Sequence, residues 1–106
     1  GERYLAAVLE GATIEVKADS WIGRTRNIAV EYESRGKPSG IATTEADYWC
    51  FIFDGEEAKK TFIMVDTEKL KDISREYLQK GSVKKMGDKD SSTSVLIPLC
   101  EFMRMV

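Results

Sequence analysis

Hydrophobic and polar side chains alternate along two short stretches in the first third of the chain. In residues 13–19 the polar positions share one face: Thr13, Glu15, Lys17 and Asp19. Residues 28–33 show the same alternation, with Ile28, Val30 and Tyr32 on the apolar face. A period of two is typical of half-buried β-strands, and the polar connection over 20–27 predicts that the two strands pair as a hairpin.

Further along, the pattern predicts more strands and one long helix. The near-continuous apolar run over 48–53 is typical of a central strand covered on both faces, and a polar loop joins it to a strand over 61–65. A helix that starts at Asp66 or Thr67 and ends near Gly81 has apolar residues at helical spacing: Leu70, Ile73, Tyr77 and Leu78. A last strand covers 95–99, and Pro98 places it at an edge.

The intervening segments predict helical turns and loops. Residues 2–10 have helical spacing and end at Gly11. The breaker-rich segment 34–40 predicts a long functional loop, and 43–47 a short helical turn with a threonine cap. The charged, serine-rich segment 84–94 predicts a mobile loop.

Length and composition limit the classes of protein. With 106 residues and 42% hydrophobic content, the chain is expected to form a single domain over 1–106 with a real core. It has no apolar run of about 20 residues and no signal-peptide pattern, so we expect a cytoplasmic protein without a membrane role. Cys50 and Cys100 each lie in an apolar stretch and are expected to be buried free thiols. The absence of histidine excludes Ser-His-Asp and His-based zinc chemistry, which leaves carboxylates, lysines and hard metals.

The segment Ile14-Glu15-Val16-Lys17 resembles the E-x-K half-motif of the PD-(D/E)XK nuclease superfamily. With 27–32, 35–41 and 46–49, it is similar to small phage-type or restriction-like members over about half of the chain. The resemblance implies an α/β fold with a restriction endonuclease-like core, in which helices flank a central mixed β-sheet. It also implies hydrolysis of DNA phosphodiesters with Mg²⁺ or Mn²⁺, in a prokaryotic or phage protein.

The spacing of the motif suits this chemistry. Residues i and i+2 of a strand share a face at about 6–7 Å, so Glu15 and Lys17 can address one phosphate. Glu15 is the expected metal ligand, and Lys17 orients the attacking water or balances charge on the phosphate. The resemblance adds the carbonyl of Val16 as a metal ligand.

The superfamily also has an aspartate on an earlier strand or loop, and no such strand is visible here. Four acidic residues are candidates for this ligand: Glu2, Glu10, Asp19 and Glu31. Of these, Glu31 on the neighbouring strand and Asp19 on the face of Glu15 are favoured. The aspartate of the family can also lie before Gly1.

Phosphate contact needs local positive charge, because the chain as a whole has a net charge of −2. The candidate DNA-binding residues lie between the strands and in the breaker segment: Arg24, Arg26, Arg35, Lys37 and Ser39. Trp21 is expected to stack on a base or to cover the sheet edge, and Trp49 to lie in the core.

Three functions are consistent with these features. The first is a metal-dependent endonuclease that acts on DNA as a homodimer, with Glu15, Lys17 and Glu31 as catalytic residues. The second is a catalytically inactive relative that keeps the fold as a DNA-binding or assembly module. The third is an unrelated α/β protein-interaction domain, which would not bind DNA even at low salt.

Overall fold

Strands of two sheets and three helices make up the described part of the chain. The computed structural model describes residues 10–55, 57 and 59–106. The elements in chain order are β1 (Ile14–Ala18), α1 (Ile22–Thr25), β2 (Asn27–Ser34), β3 (Lys37–Pro38), β4 (Tyr48–Asp54), β5 (Lys60–Asp66), α2 (Thr67–Gln79), β6 (Val83–Met86), β7 (Ser92–Pro98) and α3 (Leu99–Met105). Single 3₁₀ turns lie at Gly40–Ala42 and Asp88–Asp90. The fold is α/β, as the alternating patterns predict.

The strands form one mixed and one antiparallel sheet. In the mixed sheet, with the order β1-β4-β5, β1 is parallel and β5 antiparallel to β4. The antiparallel sheet has the order β3-β2-β7-β6. The predicted hairpin between the first two strands is therefore wrong. The short helix α1 turns the chain between them, and β2 pairs with β3 and β7 in the other sheet.

The register of β1 on β4 sets the direction of the charged side chains. Glu15 is opposite Trp49 and Lys17 is opposite Phe51 in the parallel pair. Residues in register point to the same side of a sheet, so the charged face of β1 lies on the side of the buried Trp49 and Phe51, which we call the inner face. The apolar face of β1 is turned outward, and Val16 is 54% exposed. The alternation predicts the strand correctly, but not that its polar face is the inner one.

Aromatic side chains from β4 form the centre of the core. Trp49 and Phe51 lie 6.1 Å apart between ring centroids, and Phe102 of α3 meets Phe51 edge to face at 5.8 Å. The antiparallel sheet adds the completely buried Ile28 and Ile97. Edge-to-face aromatic pairs favour docking of α3 against β4 beyond the burial of apolar area alone.

Helix α2 forms where its cap and its apolar spacing predict it. Asp66 is the N-cap, and its side chain accepts a hydrogen bond from the backbone N–H of Lys69 at 2.8 Å. Leu70, Ile73 and Tyr77 are buried, whereas Leu78 is 43% exposed at the rim of this face. Across residues 10–55, 57 and 59–106, no helix has the length and apolar character needed to span a membrane.

Several segments predicted as loops are ordered elements. The segment 34–40 contains a tight hairpin, in which Arg35 and Gly36 form the turn with positive φ angles of 52° and 77°. The segment 84–94 contains most of β6 and the start of β7. The helical turn predicted at 43–47 lies earlier, at Gly40–Ala42. The helix predicted over 2–10 lies, except for Glu10, outside the described residues.

The last strand and the helix after it also differ from the sequence pattern. Strand β7 lies between β2 and β6 and is not an edge strand. Pro98 is its last residue, opposite Asn27, and α3 begins directly after it. A proline at the end of a strand removes no hydrogen bond from the middle of the ladder, so an interior strand tolerates it there. Cys50 and Cys100 are free as expected, although Cys50 is only half-buried and Cys100 is exposed.

A hydrogen bond between α2 and α3 predicts a loss of stability at high pH. The hydroxyl of Tyr77 donates to the carboxylate of Glu101, and this bond, together with burial, raises the pKa of Tyr77 from 10.0 to about 12. Between these values the unfolded chain loses the proton that the folded chain keeps. The free energy of unfolding should therefore fall as the pH rises from 10 to 12.

Tyr77→Phe should flatten this part of the pH profile, measured by urea unfolding at intervals across the window. Tyr48→Phe is the matched control, since no hydrogen bond from the Tyr48 hydroxyl occurs among the residues described. Equal slopes for wild type and Tyr77→Phe would contradict the role of this hydrogen bond.

Candidate active site

Small residues leave a cavity where the inner face of β1 and β4 meets β2 and β7. Its volume is about 290 Å³. We call it the carboxylate cavity, and its lining is Lys17, Ala18, Asp19, Ala29, Glu31, Gly40, Trp49, Phe51, Met86, Ser92 and Ser94. Alanine, glycine and serine contribute five of these positions, and side chains of this size do not fill the gap between the sheets. Three charged residues, Lys17, Asp19 and Glu31, therefore line the same cavity.

Asp19 lies directly after β1, where a turn holds its carboxylate. The backbone N–H of Trp21 donates to Asp19 Oδ1 at 2.7 Å, and the N–H of Asp19 donates to the carbonyl of Ile52 at 3.0 Å. The side chain is half-buried. Within the described residues Oδ2 has no hydrogen-bond partner, so one oxygen fixes the carboxylate and the other is available to a ligand.

Glu31 lies on β2 beside a disturbance of the strand. It is opposite the buried Ser94, and between Glu31 and Glu33 two residues of β2 pass one residue of β7. This is a β-bulge, a feature that re-aims side chains and is frequent next to active sites. The carboxylate of Glu31 is half-buried, with no ion-pair or hydrogen-bond partner in the part of the chain described.

Gly40 packs directly on the backbone of Glu31. Its φ is +53°, and a Cβ at this position would overlap the carbonyl oxygen of Glu31 and lie 3.2 Å from the Cβ of Glu31. Only glycine accepts both the positive φ and this close approach. The glycine that ends the breaker segment therefore supports the strand that carries Glu31.

Lys17 is positioned by two neighbours. Its Nζ lies 3.7 Å from Glu15 Oε1 and 5.5 Å from the centre of the Trp49 ring. The Lys17 side chain is 48% exposed, so the ammonium group remains accessible from the cavity. Glu15 forms this ion pair and does not line the cavity.

The acidic groups present fit a cation only in part. Nowhere in residues 10–55, 57 and 59–106 do three acidic or cysteine side chains form a group that could hold a metal ion. Asp19 and Glu31 do line the same cavity. Mg²⁺ is commonly held by one or two carboxylates, with water and substrate phosphate oxygens completing its shell, so this donor set suits a metal that shares its ligands with a substrate.

A second cavity continues from the first along the antiparallel sheet. Its volume is about 370 Å³, and it shares Asp19, Ala29 and Met86 with the carboxylate cavity. We call it the tryptophan cavity, and its other lining residues are Trp21, Thr25, Asn27, Lys84, Lys85, Gly87 and Leu96. The two cavities together form one groove that begins at Glu31 and ends at Trp21.

Some of the predicted DNA-binding residues border this groove. The guanidinium of Arg24 lies 5.0 Å from the centre of the Trp21 ring. Arg26 is the C-cap of α1, with a φ of 61°. At the opposite end, the N–H of Arg35 donates to the carbonyl of Ser91, next to the lining residue Ser92. Lys37 is exposed on β3.

Ser39 and Val16 are not placed to contribute their side chains. The hydroxyl of Ser39 is inaccessible to solvent, and its backbone N–H donates to the carbonyl of Tyr32. A hydroxyl in this position does not reach a phosphate on the surface. The side chain of Val16 lies on the outer face of the sheet, away from Lys17. The ligand expected from Val16 is its backbone carbonyl, and that stays a prediction.

Another cavity has more acidic residues, but two of them have structural roles. It is lined by Glu10, Asp47, Asp66 and Glu68 among others. Asp47 Oδ2 accepts from the backbone N–H of Thr13 at 3.0 Å, and Asp66 caps α2. These hydrogen bonds explain both aspartates without a ligand. The carboxylate cavity remains the better candidate.

The sequence pattern does not predict that Lys84, Lys85 and the serines of β7 line cavities. The segment 84–94 is charged and serine-rich, which favours a loop interpretation. The available signal is the run Ser92-Thr93-Ser94-Val95, in which short polar residues and β-branched residues alternate as on a strand with one polar face.

Comparisons with known proteins do not identify this chain. No protein-family model, no curated protein and no solved structure matches it. Its function is therefore inferred from the groove and its residues.

Gly40→Ala should disturb the site through the backbone of Glu31. We expect the free energy of unfolding to fall by about 1–3 kcal/mol or more, since the new Cβ meets both a strained φ and the Glu31 carbonyl. Gly36→Ala is the matched control, because Gly36 also has a positive φ, of 77°, but nothing lies within 4 Å of an added Cβ. Urea unfolding measures both variants, and an equal loss in the two would exclude a specific effect of the Glu31 contact.

Proposed function

We propose that this protein is a metal-dependent endonuclease that hydrolyses DNA phosphodiester bonds in the carboxylate cavity. The observation that supports this most is the position of Lys17, Asp19 and Glu31 around one cavity. Two carboxylates beside an ammonium group can bind a cation and a phosphate at adjacent positions. The resemblance of the β1 segment to the E-x-K half-motif is independent of this geometry and agrees with it for Lys17, whereas the motif's glutamate, Glu15, stays outside the cavity lining.

Asp19 and Glu31 are the proposed metal ligands. Their carboxylates are half-buried and keep oxygen atoms without partners in the described part of the chain, so a hard cation does not have to displace an existing ion pair. Asp19 and Glu31 would hold Mg²⁺ or Mn²⁺ there, and the ion would supply Lewis-acid chemistry that polarises the P–O bonds and lowers the pKa of a bound water. The Trp21 N–H holds the Asp19 carboxylate, and Gly40 supports the backbone of Glu31, before substrate arrives.

Lys17 is the proposed partner of the phosphate. Its ammonium group donates hydrogen bonds to a non-bridging oxygen or orients the attacking water, and it balances the charge that grows on the phosphate. Glu15 acts through Lys17, since it holds the Lys17 Nζ and stays outside the cavity lining. We therefore propose Glu15 as a positioning residue and assign the metal to Asp19 and Glu31.

A second candidate function is a DNA-binding or assembly module without catalysis. The observation in its favour is that no group of three metal-ligating side chains occurs within the described ranges. In that case the groove binds DNA through its basic residues. An endonuclease cleaves DNA when a metal ion is added, whereas in a binding module the metal ion changes only the affinity of the protein for DNA.

The assembly state and the location in the cell also belong to the proposal. A homodimer would give the small domain two grooves for the two strands of a duplex. A cytoplasmic location agrees with DNA as the substrate. Sedimentation of the protein with and without duplex DNA tests the homodimer.

Three substitutions test the catalytic assignment. Asp19→Asn, Glu31→Gln and Lys17→Ala should each lower cleavage by about 100-fold or more, because each removes charge from the site of bond breaking. The assay uses labelled duplex, branched and single-stranded DNA with Mg²⁺, Mn²⁺ or EDTA. Glu33→Gln is the matched control, since Glu33 is an exposed glutamate on the same strand and should keep full activity.

The outcomes separate the two functions. Metal-dependent cleavage by wild type that is lost in the three variants supports the endonuclease. DNA binding without cleavage under every metal condition would favour the inactive module. Cleavage at wild-type rate by Lys17→Ala would remove Lys17 from the mechanism.

Glu15→Gln distinguishes a metal ligand from a positioning residue. We expect Mn²⁺ affinity, measured by calorimetry, to remain within about 2-fold of wild type, while cleavage slows because Lys17 loses its ion-pair partner. Asp19→Asn should weaken Mn²⁺ binding by about 10-fold or more. If Glu15→Gln weakens Mn²⁺ binding as strongly as Asp19→Asn does, Glu15 is a metal ligand, as the sequence motif predicts.

A further inference from the structure

The tryptophan cavity has the features of a subsite for a nucleic-acid strand. We propose that it binds an unpaired nucleotide, with the base stacked on Trp21 and a flanking phosphate held by Lys84. The preferred substrate is then DNA with a single-stranded segment beside the cleavage site. This inference rests on the proposed function and extends it to the class of substrate.

Trp21 is unusually exposed for a tryptophan that lines a cavity. Its surface is 55% exposed, whereas the other tryptophan, Trp49, is 2% exposed in the core. The Arg24 guanidinium is 5.0 Å from its ring centre and steadies the indole from one side. Exposed aromatic rings in a groove are the platforms on which unpaired bases stack.

The charge at this end of the groove suits a phosphate backbone. Lys84 is opposite Ser94, a lining residue of the carboxylate cavity, so its side chain lies on the groove side of β6. Asp19 is the one acidic residue among those that line the tryptophan cavity, and one of its oxygens already accepts from the Trp21 N–H. Lys84 forms no ion pair with any described residue. Because the chain has a net charge of −2, this positive region differs in sign from the chain as a whole.

Stacking on Trp21 favours a single strand over a duplex. In a duplex the flat faces of each base are covered by neighbouring base pairs, and exposing one requires unstacking. An unpaired nucleotide exposes its faces at no such cost. The cavity shares Asp19 with the carboxylate cavity, so a base on Trp21 would place the adjoining backbone next to the proposed metal ligands.

Binding without metal tests this subsite separately from catalysis. In EDTA, a fluorescein-labelled 12-nucleotide oligothymidylate is titrated with the protein and followed by anisotropy, with a blunt duplex of the same length as comparison. Trp21→Leu should weaken binding of the single strand by about 5- to 100-fold, whereas Trp21→Phe, which keeps an aromatic face, should retain most of it. Lys84→Gln should also weaken binding, and Lys69→Gln is the control on α2, outside the groove.

A second readout reports on the ring itself. In a Trp49→Phe background, Trp21 is the only tryptophan, and the oligothymidylate should quench its fluorescence. Single-strand binding that is equal in wild type and Trp21→Leu, or that occurs without quenching, would overturn the subsite. If metal-dependent cleavage persists in that case, the proposed endonuclease still stands. If the protein neither binds nor cleaves any of the DNA substrates, both the nucleotide subsite and the proposed endonuclease are wrong.

Discussion

The parallel pairing of β1 with β4 is the constraint on which the site depends. It places Glu15 and Lys17 on the inner face, beside Trp49 and Phe51 of the core. Full burial of two charges in this position would be costly, even as an ion pair. Their side chains are instead 45% and 48% exposed, since β1 is an edge strand and Lys17 borders the carboxylate cavity. This register of β1 therefore leaves the Lys17 ammonium group in contact with the cavity.

The antiparallel sheet completes the cavity because it carries short side chains at this place. Ala29 on β2 and Ser94 on β7 present short side chains to the same face, and Gly40 approaches the strand from the adjoining turn. Larger side chains at these positions would fill the space and bury the Glu31 carboxylate without a hydrogen-bond partner. The free energy of that desolvation would exceed the free energy gained from packing. The opposite face of the same sheet carries Ile28 and Ile97 and packs in the core. One sheet therefore supplies stability on one side and a polar groove on the other.

Local patterns in the sequence predict several elements well but not their pairing. The apolar run of β4 and the Asp66 cap of α2 are signals contained within a few residues, and both elements form where predicted. The partner of β1 is about 30 residues away, and nothing in its own alternation distinguishes a hairpin from a parallel pair. The sequence pattern does not predict β6 or the first three residues of β7, for a related reason. Residues that line a groove are polar, so a strand such as Ser92–Pro98 begins with the composition of a loop.

Some parts of the site are predictable from the sequence, and others depend on the topology of the fold. The i, i+2 spacing of Glu15 and Lys17 predicts their shared face correctly, and the two side chains do meet. The spacing does not show that this ion pair weakens Glu15 as a metal ligand. A carboxylate that is already paired with an ammonium group binds a metal less well than a carboxylate without a partner. Asp19 and Glu31 come from a turn and from another sheet, and only the topology brings them to one cavity. The motif therefore locates the lysine of the proposed site, whereas the fold selects its carboxylates.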